Sequence, residues 1–356
     1  MIFFKNKKQP STGALIDTRP LVAKQKDYLF SEIVSGIDTV NWIEKPQDQW
    51  RKFPIFNQNS SGACVAFSLA KILGVMHQVN EGEWVTFSPG FIYQQRANKP
   101  DGGMGGVDAW EIVRKNGALL EELFPSQNKT DAELDAVQVK AYEQQVASVF
   151  KIGNYVILPN GDIDTIASVI QKTGKAVMVW YFWNVDEYNR PEPIIEDLSL
   201  TPQTAQGRHS VSAVDFTLKD GKKYLVIDDS WGVNTGINGQ RLISEDFHRA
   251  RNFFAAYPIN FQFDVSTTVK PSYTFTRTLY YGMQNDPDVK ALQDALKYFG
   301  TFPTNTESTG NYFGVTAKAV YDWQVKYQVA SQEELNSLQG RVFGPKSIQK
   351  MNELLQ

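Results

Sequence analysis

One cysteine and three histidines supply all the thiol and imidazole in a chain of 356 residues. Any thiol chemistry therefore turns on Cys64. It lies in Asn57-Gln58-Asn59-Ser60-Ser61-Gly62-Ala63-Cys64-Val65-Ala66-Phe67-Ser68. Gly62 and Ala63 leave room for a reacting carbonyl just ahead of it. Phe67, Leu69, Ala70, Leu73 and Met76 then recur at helical spacing, which predicts a helix running on to Val79. Cys64 stands at its N-terminus, where the dipole and the unpaired N–H groups favour a thiolate. Gln58, on the approach to this helix, can donate its carboxamide N–H to an oxyanion. A lone cysteine is more often inert core than nucleophile, so the reading depends on a base.

A thiolate nucleophile needs a base, and the base needs a group that orients it. His77 lies on the same helix, roughly 20 Å along its axis by helical rise, and cannot reach. His248 follows Glu245-Asp246-Phe247 and reads as an exposed helical residue. His209 opens the strand pattern 210–216. After the turn signal Lys219-Asp220-Gly221 comes a second strand pattern, 223–227, and Asp229 follows it. Antiparallel pairing sets His209 beside Asp229, and strand alternation sends Asp228 to the other face. Trp231 can cover the His209–Asp229 bond, or simply pack in the core. Gly102 and Gly103 would let a substrate backbone approach and pair in an extended form.

The elements that must position these groups read as follows. Residues 176–181 form a buried strand, and residues 110–115 and 131–149 are helical. Residues 184–208 are polar and carry prolines, as long binding loops do. The span 37–265 reads as one α+β domain, preceded by an extension over 1–36 and followed by a Ser/Thr-rich linker over 266–278. Residues 279–356 read as a compact all-α module of three helices. Asp286 caps the first, with Val289, Leu292 and Leu296 inward. Thr316 caps the second, with Val320, Trp323 and Tyr327 on one face. Pro345 opens the third, with Ile348, Met351 and Leu355 inward. Gly310–Gly314 and Gly340–Gly344 form a short internal echo.

Composition narrows the function. A net charge of -3 gives no basic footprint for nucleic acid. One cysteine rules out an intrachain disulfide and a cysteine-rich zinc site; no metal or cofactor is expected. The richest apolar run, residues 176–183, falls far short of the roughly 20 residues a membrane span needs. Near the N-terminus only Ile2, Phe3 and Phe4 form an apolar run, against about 7–15 residues in a secretory leader. Synthesis without a conventional signal peptide is expected.

These segments resemble the papain-like cysteine peptidases. Pro54 to Gln58 resembles that family's proline-to-glutamine approach, and Ser61 to Ser68 its nucleophile segment. The family signature C-G-[SA]-C-[WY] has its His and Asn about 130–150 residues downstream, an interval that includes His209. Asp229-Ser230-Trp231-Gly232 resembles its Asn-Ser-Trp-Gly, and Asn238-Gly239 the Asn-Gly beyond. Val40-Asn41-Trp42 resembles the start of the mature enzyme. Phe87-Ser88-Pro89 and Asp101-Gly102-Gly103 resemble its Leu-Ser and Gly-Gly segments. The resemblance covers residues 38–260 and implies a two-lobed fold, a helical lobe beside an antiparallel β lobe. It implies Cys64 as nucleophile, His209 as acid and base, Asp229 as orienting group, and Gln58 in the oxyanion hole. Gly102, Gly103 and Trp231 fall at the binding cleft, and the substrate is a peptide or protein. Three departures stand out. Ser61 replaces a disulfide-bonded cysteine, Val65 replaces a bulky aromatic beside the nucleophile, and Asp229 replaces an asparagine, which raises the histidine's pKa. The extension over 1–36 is read as a strap, not as the family's long inhibitory proregion.

The C-terminal module resembles the three-helix peptidoglycan-binding domain of bacterial and phage cell-wall enzymes. Asp288 to Gln293 resembles its first-helix signature. Gly310, Phe313-Gly314, Thr316, Ala319-Val320 and Trp323-Gln324 resemble the second, and Gly344 to Ser347 the third. Peptidoglycan is the partner implied, with Tyr280, Tyr281 and Tyr312 as exposed rings for stacking on sugars. The expectation is a thiol peptidase directed to the bacterial cell wall, as a phage lysin or a wall-associated enzyme. The alternatives are an inactive wall-binding protein on the same fold and a self-processing peptidase.

Overall fold

The computed structural model describes residues 13–24, 27, 39–148, 150–259, 261–263, 271–302 and 308–356. Most of the expected extension over 1–36, and residues 266–270 of the expected linker, lie outside the described residues. The chain divides into two units. The first takes the described residues up to Thr18, with Ile37–Lys151 and Leu158–Tyr257; the second takes Arg19–Gly36, Ile152–Ile157 and Pro258–Gln356.

The elements of the first unit are β1 (Ala14–Leu15), α1 (Cys64–Glu81), α2 (Pro89–Gln94), β2 (Met104–Gly105), α3 (Gly106–Asn116), α4 (Ile163–Thr173), β3 (Val177–Trp183), β4 (Gly207–Lys219), β5 (Lys222–Asp228), β6 (Gln240–Ser244), α5 (Glu245–Arg251) and β7 (Asn252–Pro258). Within this unit the antiparallel sheet runs β7-β3-β4-β5-β6. β3 reads Val-Met-Val-Trp-Tyr-Phe-Trp and is buried at every position, which is why it shows no polar alternation. The β4–β5 turn sits on Asp220 and Gly221, at φ 51° and 73°, the left-handed pair a two-residue hairpin demands.

α1 is the spine of the unit. Every residue from Cys64 to Met76 is buried, so the helix is enclosed all round rather than amphipathic. It stops at Gly82, left-handed at φ 79°. It packs against β4, and serines make the close approach possible. Ser210 Oγ donates to Ser68 Oγ at 2.8 Å, and Ser212 Oγ donates to the Ser68 carbonyl at 3.2 Å.

Two expectations change. The helix expected over 131–149 is two, Asp131–Asp135 and Ala141–Ala147, because a second start intervenes. Thr130 and Glu133 form a capping box for the first, and the Glu143 carboxylate accepts from the Lys140 N–H for the second. The segment 184–208 is not a loose loop. It holds the short helix Val185–Tyr188, and Arg208 already lies in β4. Its middle is tied down by buried Glu187, which pairs with Arg251 and accepts the N–H groups of Glu196 and Asp197.

The second unit contains β8 (Leu279–Tyr280), α6 (Pro287–Tyr298), α7 (Gly314–Lys326), α8 (Gln332–Leu338), β9 (Val342–Phe343) and α9 (Pro345–Leu355). The expectation of a purely helical, three-helix module is thus corrected by α8, which Ser331 caps, and by the antiparallel β8–β9 ladder. Leu292, Leu296, Val320, Trp323 and Met351 meet in its core. Phe275, from the expected linker, is buried in the same core, and Asn352 holds its backbone N–H and C=O. Tyr312, expected as an exposed ring, is fully buried and donates its hydroxyl to the Gly340 carbonyl. Thr316 does not cap α7; Phe313 is the N-cap residue, and Thr316 sits in the first turn.

The internal echo has a physical counterpart. Gln293 on α6 donates its carboxamide to Asn311 O and Thr316 Oγ1 at the head of α7. Gln324 on α7 donates in the same way to Val342 O and Ser347 Oγ at the head of α9. Each helix carries a buried glutamine that organises the start of another.

Candidate active site

Cys64 is the first residue of α1, and its side chain is fully buried. His209 is near the start of β4, opposite Tyr181 of β3. Asp229 follows the last residue of β5 and is also buried. The sheet brings the last two together: His209 Nε2 lies 2.8 Å from Asp229 Oδ1. The other ring nitrogen, Nδ1, has no hydrogen-bond partner among the described residues and is left for the Cys64 thiol, which is near enough to help raise the ring's pKa. The three side chains therefore stand in the order thiol, imidazole, carboxylate. Such an arrangement can hold a thiolate nucleophile, a proton carrier and an orienting acceptor together.

Burial alone disfavours an imidazolium. Here the Asp229 charge and hydrogen bond, aided by Cys64, outweigh it and raise the His209 pKa from 6.5 to about 9. Burial likewise disfavours the Asp229 carboxylate, but His209 and Arg241 overcome it and hold its pKa below the usual range. Arg241, on β6, donates Nε to Asp229 Oδ2 at 2.8 Å. Trp231 stacks on the His209 ring, with centroids 4.4 Å apart and planes 22° apart. It covers one face of the His209 ring and is itself buried.

The approach loop is tied to the loop after β5. Gln58 N–H donates to Ser230 O at 2.8 Å, and Gly232 N–H donates to Phe56 O at 3.0 Å. The Gln58 side chain is buried; its Nε2 donates to Ser61 O at 2.7 Å, and its Oε1 accepts from Ser230 Oγ at 2.6 Å. These bonds fix the carboxamide next to the turn that leads into Cys64.

Gly102 is exposed, but Gly103 is buried rather than an open ledge. The chain's own β1 pairs in parallel with β2, and Gly13 O accepts from Met104 N–H at 2.8 Å. A Cβ on Gly13 would fall 1.8 Å from Gly62 O, and one on Gly103 would fall 2.8 Å from Leu15 Cδ2. The strap thus lies tightly between the glycine wall and the residue two before Cys64. Tyr93 braces that wall, accepting the Gly103 N–H at 2.9 Å, while Asp131 Oδ1 accepts the Gly62 N–H at 2.9 Å.

The other sequence readings divide. Asp228 does face away, bonded to Lys71 and Gln240. His248 is corrected: it is fully buried, and its Nδ1 lies 2.8 Å from the Tyr181 hydroxyl. Arg241, Ser68, Ser210, Tyr93 and Asp131 were missed. Small hydroxyl residues at buried helix and strand positions were the only sign of the serines, and a charged residue in a short apolar strand the only sign of Arg241. Among the described residues no cluster of His, Cys, Asp and Glu could hold a metal, and no helix is long and apolar enough to cross a membrane.

The profile of the Papain family cysteine protease matches residues 38–253. Cysteine proteinase 3 of Dictyostelium discoideum is 26% identical over 238 residues, covering 62% of this chain and 63% of the relative. The Cathepsin L-like proteinase of Phaedon cochleariae is 25% identical over 225 residues, covering 59% of this chain and 64% of the relative. The chain thus spans less than two thirds of the length of these relatives. The solved structure of Xylellain, a cysteine protease from Xylella fastidiosa, superposes with a TM-score of 0.56 at 16% identity, over 72% of this chain and 98% of that one. At that identity the likeness speaks for the fold.

Proposed function

The chain belongs to the papain family of cysteine proteases, and from that premise we propose that it hydrolyses peptide bonds through Cys64, His209 and Asp229. The observation that carries the reading is the buried line of thiol, imidazole and carboxylate, with His209 Nε2 2.8 Å from Asp229. The Cys64 thiolate attacks the peptide carbonyl, and His209 protonates the leaving amine. The Cys64 backbone N–H and the Gln58 carboxamide take the oxyanion. Water then hydrolyses the thioester, with His209 accepting its proton. Asp229 stays ionised throughout and keeps the ring oriented.

The finer part of the reading is where the peptide lies. We assign the second unit to the recognition of cell-wall glycan, on its resemblance to peptidoglycan-binding domains. Tyr280 and Tyr281 are its exposed rings, and Arg341 sits over Tyr281 at 5.2 Å. The protein then acts at a bacterial wall, as a phage lysin or a wall-associated peptidase. The test incubates the full chain and its Cys64→Ala variant with purified walls and with a peptide-amide library, under reducing conditions. New amino termini with the wild type alone are expected; none with either protein overturns the enzyme reading. Sedimentation of both proteins with peptidoglycan tests the wall reading separately, and a Tyr280→Ala, Tyr281→Ala double variant should stay in the supernatant.

One observation favours a second reading, self-processing. Gly13–Leu15 occupies the groove beside Gly62 and Gly103, so peptide entry requires that strap to leave. Mass spectrometry of the incubated wild type should then show trimming ahead of Val40 that Cys64→Ala does not.

A further inference from the structure

Asp229 is unusual for what surrounds it. It stands where the resemblance calls for a neutral asparagine, and it is fully buried. An uncompensated carboxylate there would face the forming thiolate across one imidazole. Like charge in a dry site disfavours an anion strongly. The structure supplies the compensation. Arg241 is buried to within 3% of full cover and reaches Asp229 Oδ2 through Nε at 2.8 Å. Asp229 Oδ1 meets His209 Nε2 and also accepts the Ser230 N–H, each at 2.8 Å. The guanidinium lies between two rings, 4.8 Å from the Tyr188 centroid and 5.5 Å from that of Trp231. Its Nη1 donates to the carbonyls of Tyr188 and Arg190.

We propose that Arg241 is a positioning residue of this site: its buried guanidinium offsets part of the charge of Asp229 and fixes the carboxylate, so that His209 meets an oriented acceptor whose negative field is moderated. The proposal rests on the Cys64–His209 reading given above. The titratable and charged groups around His209 are few. Among the described residues, Cys64 comes from α1, Tyr181 from β3, Tyr188 from the helix Val185–Tyr188, Asp229 from the end of β5, and Arg241 from β6. Burial, with the nearby Asp229 charge, pushes the Tyr188 hydroxyl well above its ordinary pKa, so it remains neutral. Asp228 points away into its own pair with Lys71. Arg241 is therefore the one fixed cation in this set, and Asp229 the one fixed anion.

An arginine that merely pinned the 188–190 backbone would lower stability when removed and leave titration unchanged. Charge compensation predicts a pattern of signs. Arg241→Gln exposes His209 and Cys64 to a bare carboxylate, so both limbs of the pH–activity profile move up, by about one pH unit. Asp229→Asn leaves a bare guanidinium, and both limbs move down. The double variant returns both limbs toward the wild type. Arg241→Lys keeps the charge, loses the fork to the carbonyls, and keeps the wild-type limbs.

The direct readout is the Cβ chemical shift of the single isotopically labelled cysteine in the full chain, followed with pH beside peptide hydrolysis. Opposite shifts in the two single variants, with restoration in the double variant, are expected. If Arg241→Gln and Asp229→Asn shift in the same direction, or neither shifts, the charge-compensating role is overturned. Should Arg241→Gln not fold, Arg241→Lys and the double variant decide: a shift of about a unit in either overturns the role. His209→Gln separates the underlying reading. If it leaves the Cys64 titration untouched, thiol and imidazole are not coupled, and the proposal falls with that reading.

Discussion

His209 and His248 are both fully buried, yet they are opposite kinds of histidine. His209 has a carboxylate on one ring nitrogen, and its pKa rises to about 9. His248 has a neutral phenol on one ring nitrogen, and burial, only weakly opposed by Asp162, drives its pKa down to about 3. Tyr181 connects them: it stands opposite His209 in the β3–β4 ladder, and its hydroxyl bonds to His248. Burial is common to the two sites, so it does not decide the protonation state. The charged partner does.

The sharpest way to break this contrast is to delete each ring. His209→Gln should lower peptide hydrolysis by about a hundred- to ten-thousand-fold, the span of positioned acid–base catalysis. His248→Gln should leave the rate near that of the wild type, because His248 touches Tyr181 rather than Cys64. Comparable losses in both would mean that His248 belongs to the chemistry and that the contrast is misplaced.

The next test reads the same contrast as stability. Folding raises the His209 pKa from 6.5 to about 9, so its stabilisation is complete below 6.5 and is lost as pH rises through 9. Folding lowers the His248 pKa from 6.5 to about 3, so its contribution is present above 6.5 and is lost as pH falls toward 3. Denaturant titrations across pH should show an alkaline arm that His209→Gln flattens and an acid arm that His248→Gln flattens. Each proton adds a slope of up to about 1.4 kcal/mol per pH unit. A smaller effect follows from Tyr181→Phe, which leaves the buried His248 Nδ1 unpartnered. It should cost about 1–3 kcal/mol and leave the pH–activity profile in place.

These sites were unequally legible in the sequence. Cys64, His209 and Asp229 could be read because a helix start, a strand start and a strand end follow from short-range periodicity, and antiparallel pairing then puts the last two side by side. His248 was misread as an exposed helical residue, on the strength of Glu245 and Asp246 just before it. In a helix of seven residues, acidic neighbours on the outer face say nothing of the inner one. Arg241 could not be read as the partner of Asp229, because that pairing needs the register of β5 on β6. The extension was legible as a strap, but its pairing with β2 was not, because two residues of parallel ladder carry no periodicity. In the second unit, Tyr312 and α8 were missed where turn chemistry rather than an apolar stripe decides the structure.

The last difference between the two histidines is the ring each one touches. His209 lies flat on Trp231, with planes 22° apart, whereas His248 meets Tyr181 at 77°. A flat aromatic face favours a cation above it, by about 0.5–1 kcal/mol where water has some access and about 2 kcal/mol when dry. An imidazolium gains from such a face, and a neutral imidazole gains far less. Trp231→Leu should therefore lower the His209 pKa by roughly half a unit to one unit, since one unit corresponds to about 1.4 kcal/mol. The alkaline limb of peptide hydrolysis should move down by that amount while the acid limb of stability, which belongs to His248, stays where it is. An unchanged alkaline limb would mean that Trp231 only packs, and that Asp229 with Arg241 accounts for the whole difference between the two histidines.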